Sequence, residues 1–305
     1  MENVKLANGE NLPVIGFGPG ICNYTSYRIK NKNIMSIPYR AYNKLVRRPH
    51  VEAKYIKAVA SAIKQGFRLI DYSSAYGDGS LVGKGIKASG VSRAELKLTT
   101  RVSNQAQFGG RDAIRQEFFR QLKNMDTDYV DILMFHWPVT DCYEATWHAM
   151  VELYKEGVVK SLGVANCHVH HLEKLFTLTE ERPVINQFEV HPLFTQKDLI
   201  SYCRDKNIQP EAYTPIARFD DRLVRLPLLH KIADRHNKTV LQIVLRWHVQ
   251  NGVVPVVRTL NSRHQRENLD IFDFNLNNDE MRKIDSININ SRLRYDPDNC
   301  DFTIL

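Results

Sequence analysis

Nowhere does the sequence string together the roughly 18 apolar residues that a membrane-spanning helix requires, which removes the helical membrane class from consideration. Its cysteines, Cys22, Cys142, Cys167, Cys203 and Cys300, form an odd set with no C-x-x-C pair, so no disulfide framework is implied. The opening MENVKLANGENLP lacks a basic segment followed by an apolar core. These absences together predict a reduced, cytoplasmic protein. Disorder is excluded by the 43% apolar content over 305 residues, enough chain to bury a large core.

One further absence is local. Residues 19–50, PGICNYTSYRIKNKNIMSIPYRAYNKLVRRPH, contain no Asp or Glu but seven Lys or Arg, so this stretch supplies most of the net charge of +8. The remaining chain is nearly neutral. A basic surface extending over the whole protein, as nucleic-acid binding would favour, is therefore not predicted.

What is present is an alternation of short β-branched runs with segments of helical period, the pattern of repeated β-α units. Eight runs read as strands: VIGFG (14–18), FRLID (67–71), LKLTTR (96–101), VDILMFH (130–136), VVKSLGVAN (158–166), VINQFEV (184–190), IQPEAYT (208–214) and VVPVVRT (253–259). Between them RDAIRQEFFRQLKNM, YEATWHAMVELYKEG and TVLQIVLRWHVQNG read as helices, the last with Thr239 as cap and Gly252 as stop. Eight of each predict a closed α/β barrel. The rival, an open doubly wound sheet, would carry G-x-G-x-x-G after its first strand, and GFGPG does not continue that way.

In such a barrel chemistry gathers where strands end. Asp71, Arg101 and His136 hold that position, and Tyr76 follows Asp71 on its loop. A carbonyl receiving a hydride becomes an alkoxide that must be stabilised and protonated. Tyr76 can give the proton, a cation at Arg101 held by Asp71 can acidify the phenol, and a neutral His136 can orient the carbonyl oxygen. Taken singly, a loop cap, a barrel-rim ion pair and a satisfied core histidine explain these residues as well; their coincidence at neighbouring strand ends favours a site.

At these residues the sequence resembles the aldo-keto reductase superfamily from about residue 3 to residue 303. VKLANGENLPVIGFG, GFRLIDYSSAYG, FHWP, VKSLGVANC, INQFEVHP, AYTPI, RENLDIFDF and RYDPDNCDF follow one another as the family's blocks do. The resemblance implies an α/β fold, a (β/α)8 TIM barrel with an N-terminal β-hairpin and two auxiliary helices, as one domain over residues 1–305 with a basic insertion at 19–50. It implies NADPH-dependent reduction of an aldehyde or ketone, with Asp71, Tyr76 and His136 as catalytic residues. Arg101 stands where the family carries lysine, a substitution that exchanges a point charge for a planar fork.

For the cofactor the resemblance points to Asn166 and Gln187 on the carboxamide, Tyr213 stacked on the nicotinamide with Thr214 beside it, and Arg258, Thr259, His264, Glu267 and Asn268 toward a 2'-phosphate, with NADPH (NADP+) preferred to NADH. Ala165 replaces the usual serine before Asn166, and His264 stands where arginine is common. Trp137 matches a pocket wall, while GPG after the first strand deletes a second wall and predicts a wider pocket. No metal is implied. The 19–50 insertion reads as a lid for acidic or aromatic substrates, a subunit contact, so that a monomer or a weak homo-oligomer is expected, or a nucleic-acid patch, in that order. The other functional reading is a weakened or retired barrel that binds NADP(H) to sense redox state or dock partners, for which Arg101 and Ala165 speak.

Overall fold

The computed structural model describes residues 2–20, 45 and 48–304. Most of the basic stretch, Cys22 and the three readings of the insertion lie outside the described residues. The chain opens with a hairpin of β1 (Asn3–Lys5) and β2 (Asn11–Pro13), turned through Gly9 at φ +88°. Leu6 and Leu12 from this hairpin pack with Leu69, Ile132, Met134, Ile185 and Val254, so the hairpin plugs the N-terminal end of the barrel. The opposite end is left to chemistry.

Eight parallel strands then close on themselves: β3 (Gly16–Phe17), β4 (Leu69–Asp71), β5 (Lys97–Val102), β6 (Val130–Phe135), β7 (Val159–Ala165), β8 (Ile185–Glu189), β9 (Gln209–Tyr213) and β10 (Val254–Val257), with β10 paired to both β3 and β9. Seven of the eight expected runs contain their strand whole, trimmed by one to three residues, and β5 is displaced by one residue from LKLTTR (96–101) to Lys97–Val102. The outer layer holds α1 (Arg48–Gln65), α2 (Gly79–Ser89), α3 (Asn104–Phe108), α4 (Gly110–Met125), α5 (Tyr143–Lys155), α6 (Val169–Phe176), α7 (Lys197–Asp205), α8 (Asp221–Val224), α9 (Pro227–His236), α10 (Val240–Gln250), α11 (Ser262–Leu269) and α12 (Asn278–Asp285). Thr239 and Gln242 form a reciprocal cap at the start of α10, and Gly252 lies just beyond its end at φ +59°. Helices α3, α8, α9 and α12 fall outside the strand-helix alternation; α3 and α8 are single short turns, and α9 and α12 are the two auxiliary helices. Helix α1 begins at Arg48, so the last residues of the 19–50 stretch belong to the barrel.

The helix that follows the Tyr76 loop is set by a close approach. A Cβ on Gly83 of α2 would stand 2.5 Å from the Met125 carbonyl oxygen at the end of α4, and one on Gly85 would stand 2.5 Å from the Val59 Cβ of α1. Neither neighbour can rotate away, since one is backbone and the other is a branched carbon. The N-terminus of α2 is fixed by Asp78, whose side chain accepts from the Ser80 amide at 2.9 Å. Glycine normally weakens a helix by about 1 kcal/mol relative to alanine. Here Gly83→Ala is expected to do the reverse and destabilise by about 1–3 kcal/mol through overpacking, read as a lowered urea midpoint.

Candidate active site

Asp71 ends β4, Arg101 sits next to last in β5, and His136 immediately follows β6. Parallel register aligns them: Asp71 lies across from Thr99, Arg101 from Met134, and the His136 amide donates to the Val102 carbonyl at 3.0 Å. Alternation on a strand sends Thr99 and Arg101 to the same face, the barrel interior. Only 1% of Arg101 is exposed.

A guanidinium at that depth must be matched in charge and in donors. Arg101 Nη1 donates to Asp71 Oδ1 at 2.5 Å and to the Tyr72 carbonyl at 2.9 Å; Nη2 donates to Asp71 Oδ2 at 3.0 Å and to Gln187 Oε1 at 2.6 Å. Arginine thus does what lysine could not do from one nitrogen: it spans β4 and β8 in a single plane. Burial opposes the charge, but Asp71, Tyr76 and Glu211 together outweigh it and Arg101 stays ionised. The Gln187 amide nitrogen in turn donates to Asp71 Oδ2 at 3.2 Å and to Glu211 Oε1.

Tyr76 reaches this network from a short 3-10 turn, Ser74–Tyr76, whose start is capped by the Ser73 side chain. Two outside contacts hold that loop. The Tyr72 hydroxyl donates to the Gly77 carbonyl at 2.8 Å, and Glu117 of α4 accepts from the Ser74 hydroxyl at 2.9 Å and from the Ser103 amide at 2.9 Å. The Tyr76 hydroxyl lies 3.4 Å from His136 Nε2, with the two rings perpendicular. Burial pushes the phenol above its ordinary pKa, and the Arg101 guanidinium pulls it back. Burial, then the charges of Arg101 and Arg294, push the His136 imidazole down to about 3, so it is neutral at physiological pH.

Asn166, just past β7, adopts the left-handed backbone at φ +60°; its amide nitrogen donates to the His136 carbonyl at 2.9 Å and its oxygen accepts from the Tyr213 hydroxyl at 2.7 Å. Thr214 follows Tyr213 at φ +48°, with a buried hydroxyl that has no partner among the described residues. Trp137 is buried against Val139 and Phe302 of the C-terminal tail. A second cluster forms at the corner between β10 and α11. Arg258 is exposed, lies flat against Gly20 (a Cβ there would stand 2.1 Å from its Nε), and its charge acts on Tyr76. The Thr259 hydroxyl accepts from the Asn261 amide at 3.1 Å, His264 is exposed, Glu267 pairs with Arg263 at 2.7 Å, and Asn268 is half-buried. The expected residues therefore fall into two groups, with Arg258 as the electrostatic link.

Three acids escaped the sequence reading. Glu117 ties the Tyr76 loop to β5. Glu189 receives the tail amides of Leu293 and Arg294 at 2.6 and 2.9 Å. Glu211 lies fully buried two residues before Tyr213, where an acid inside the apolar run IQPEAYT was the available signal. Burial and the neighbouring Asp71 carboxylate push the Glu211 carboxyl up to about 8. A carboxyl raised in the folded state stays protonated there while the unfolded chain ionises near 4.5, so stability falls as pH rises from about 4.5 to about 8. Glu211→Gln removes that loss: denaturant titrations at pH 5 and pH 8 are expected to show the variant gaining on the parent at the higher pH, and an equal difference at both would contradict the assignment.

Among the described residues no helix is long and apolar enough to cross a membrane, and four cysteines, Cys142, Cys167, Cys203 and Cys300, are unpaired. A sequence model of the aldo/keto reductase family matches residues 43–289. The glyoxal reductase of Bacillus subtilis (strain 168) is 37% identical over 301 residues, 99% of this chain and 98% of that protein. The methylglyoxal reductase DkgA of Escherichia coli (strain K12) is 38% identical over 250 residues, 80% of this chain and 88% of its own. The crystal structure of a Bombyx mori aldo-keto reductase in complex with NADP superposes with a TM-score of 0.80 at 28% identity, covering 97% of this chain and 96% of that one. The closed barrel, the strand-end constellation and these likenesses agree: the chain belongs to the aldo/keto reductase family and is an oxidoreductase acting on carbonyl groups.

Proposed function

We propose that the chain reduces small aldehydes or ketones with NADPH, Tyr76 giving the proton. The observation that carries the reading is the Tyr76 hydroxyl at 3.4 Å from a neutral His136 Nε2, above a guanidinium fixed by Asp71. A carbonyl oxygen between Tyr76 and His136 accepts a hydrogen bond from each, and the phenol passes its proton to that oxygen as negative charge develops. Bound NADPH supplies the hydride. Arg101 stabilises the phenolate left behind and, with a pKa above about 12, exchanges no proton itself.

Features of the chain fit the cofactor. Asn166 and Gln187 would face the carboxamide, Tyr213 the nicotinamide ring, and the partnerless Thr214 hydroxyl lies next to Tyr213. Gln187 would do so with an amide already shared among Asp71, Arg101 and Glu211. Arg258, which forms no ion pair among the described residues, would meet a 2'-phosphate with Thr259 just before α11 and His264, Glu267 and Asn268 along it. Relatives named for glyoxal and methylglyoxal support α-dicarbonyl compounds as the first substrates to try.

Fluorescence titration with NADPH and NADH, beside turnover of an aldehyde panel, tests this. Arg258→Gln is expected to weaken NADPH binding roughly tenfold and leave NADH unchanged, as loss of one charge-assisted contact predicts. Tyr76→Phe is expected to cut turnover at least about 100-fold while NADPH still binds. Tight NADPH binding with no turnover of any carbonyl by the parent would instead favour the retired, cofactor-sensing barrel.

A further inference from the structure

The tail after α12 is anchored across the open end of the barrel at three places. Glu189, the last residue of β8, takes the Leu293 and Arg294 amides; Asp298 pairs with His168 Nδ1 at 2.7 Å; and the Phe302 carbonyl accepts from Asn104 at 3.1 Å while its ring packs on Trp137. Glu189 lies across from Tyr213 in the β8–β9 register, so the backbone of residue 294 is pinned at the rim next to Tyr213. Arg294 is thereby held at the mouth of the catalytic pocket.

Among the described residues its charge has no counter-ion. Arg292, two residues earlier, is committed to Phe194, His168 and Asp296. Arg294 makes no side-chain hydrogen bond or ion pair among the described residues, and the Tyr295 ring centroid lies 5.5 Å from its guanidinium carbon. The surrounding acids are spoken for: Glu189 by His191 and two amides, Asp296 by Arg292, Asp298 by His168 and His170. Residues 21–44 and 46–47, outside the described set, contain no Asp or Glu and cannot supply a side-chain carboxylate. The charge is nonetheless felt inside the pocket, where it lowers the Tyr76, His136 and Tyr213 pKa values. A half-buried cation without a partner, beside the residues that hold the reacting carbonyl, is an anion receptor.

We propose that Arg294 is a specificity-determining residue that binds a carboxylate on the substrate, so that the preferred substrates are aldehydes or ketones bearing an acid group. This rests on the carbonyl-reductase reading above. The carbonyl lies between Tyr76 and His136, and the carboxylate points to the tail side of the pocket. Arg294 takes no part in the proton transfer.

The test uses the full chain with NADPH and two matched pairs: succinic semialdehyde against methyl 4-oxobutanoate, and glyoxylate against methyl glyoxylate. The first carboxylate lies two carbons further from the carbonyl than the second, so the pair that discriminates reports the reach of Arg294. The parent is expected to favour an acid over its ester in kcat/KM, and Arg294→Gln to reduce that acid-to-ester ratio roughly tenfold, mainly through KM of the acid. Arg294→Lys is expected to recover part of the ratio. The ratio is the readout because removal of the charge also acts on Tyr76 and moves both substrates together. Turnover of the esters with no acid preference in the parent, or an unchanged ratio in Arg294→Gln, overturns the proposal and leaves the reductase reading standing. Calorimetric binding of 4-hydroxybutanoate to the NADP+-loaded chain reads the same contact without turnover: binding lost in Arg294→Gln supports it, and binding equal in parent and variant, or none in the parent, overturns it.

Discussion

A guanidinium buried inside a barrel is the constraint from which the site follows. Taking Arg101 out of water costs several kcal/mol, and the two-pronged bond to Asp71, with the Tyr72 carbonyl and Gln187 as further acceptors for Nη1 and Nη2, offsets it, although Nε has no partner among the described residues. The Asp71 pair lies across neighbouring strands, β4 and β5, while the bond to Gln187 ties β5 to β8, which is not its neighbour in the sheet. It also fixes the charge balance of the interior. With one cation and one carboxylate already matched, a second carboxyl at Glu211 is held near neutrality and is pushed toward its protonated form. The same cation opposes the rise that burial imposes on the Tyr76 phenol.

The scaffold around this pair consists of acids that act on backbone. Glu117 receives the amide and hydroxyl of Ser103 and the hydroxyl of Ser74, joining the loop that carries Tyr76 to the strand that carries Arg101. Glu189 does the same for the C-terminal tail. Both replace lost hydration with backbone amides, joined at Glu117 by the Ser74 and Ser103 hydroxyls and at Glu189 by the His191 ring, which suits buried carboxylates. Loop geometry at the open end is therefore set by side chains reaching out from the rigid layers, and the reacting groups are placed by elements that cannot easily shift.

The fold was legible because β-branched runs and helical periods alternate in a fixed order, and because Thr239 and Gly252 mark helix ends by mechanisms that need only neighbouring residues. Asp71, Arg101 and His136 were legible because strand ends in a barrel face one spot. Glu211 and Glu189 were not: their roles depend on what meets them across the barrel, from Gln187 on the adjacent strand to a tail more than a hundred residues away. The bond between Arg101 and Gln187 was hidden for the same reason, since the number of partners a guanidinium fork finds is a property of three dimensions. The start of α1 at Arg48 was obscured by the basic run that leads into it, whose charge pattern says nothing about where a helix begins.

The claim at the centre is that Arg101, held by Asp71, lowers the pKa of Tyr76. Its most direct test is the titration of the Tyr76 phenol by NMR of chain labelled with [ζ-13C]tyrosine, assigned with Tyr76→Phe, in the parent and in Arg101→Met. The Arg101 effect on the phenol exceeds the opposing effect of Asp71, so the account predicts a Tyr76 pKa that rises in the variant even if Asp71 becomes protonated when its partner is lost. A Tyr76 that titrates at the same pH in both proteins would contradict it.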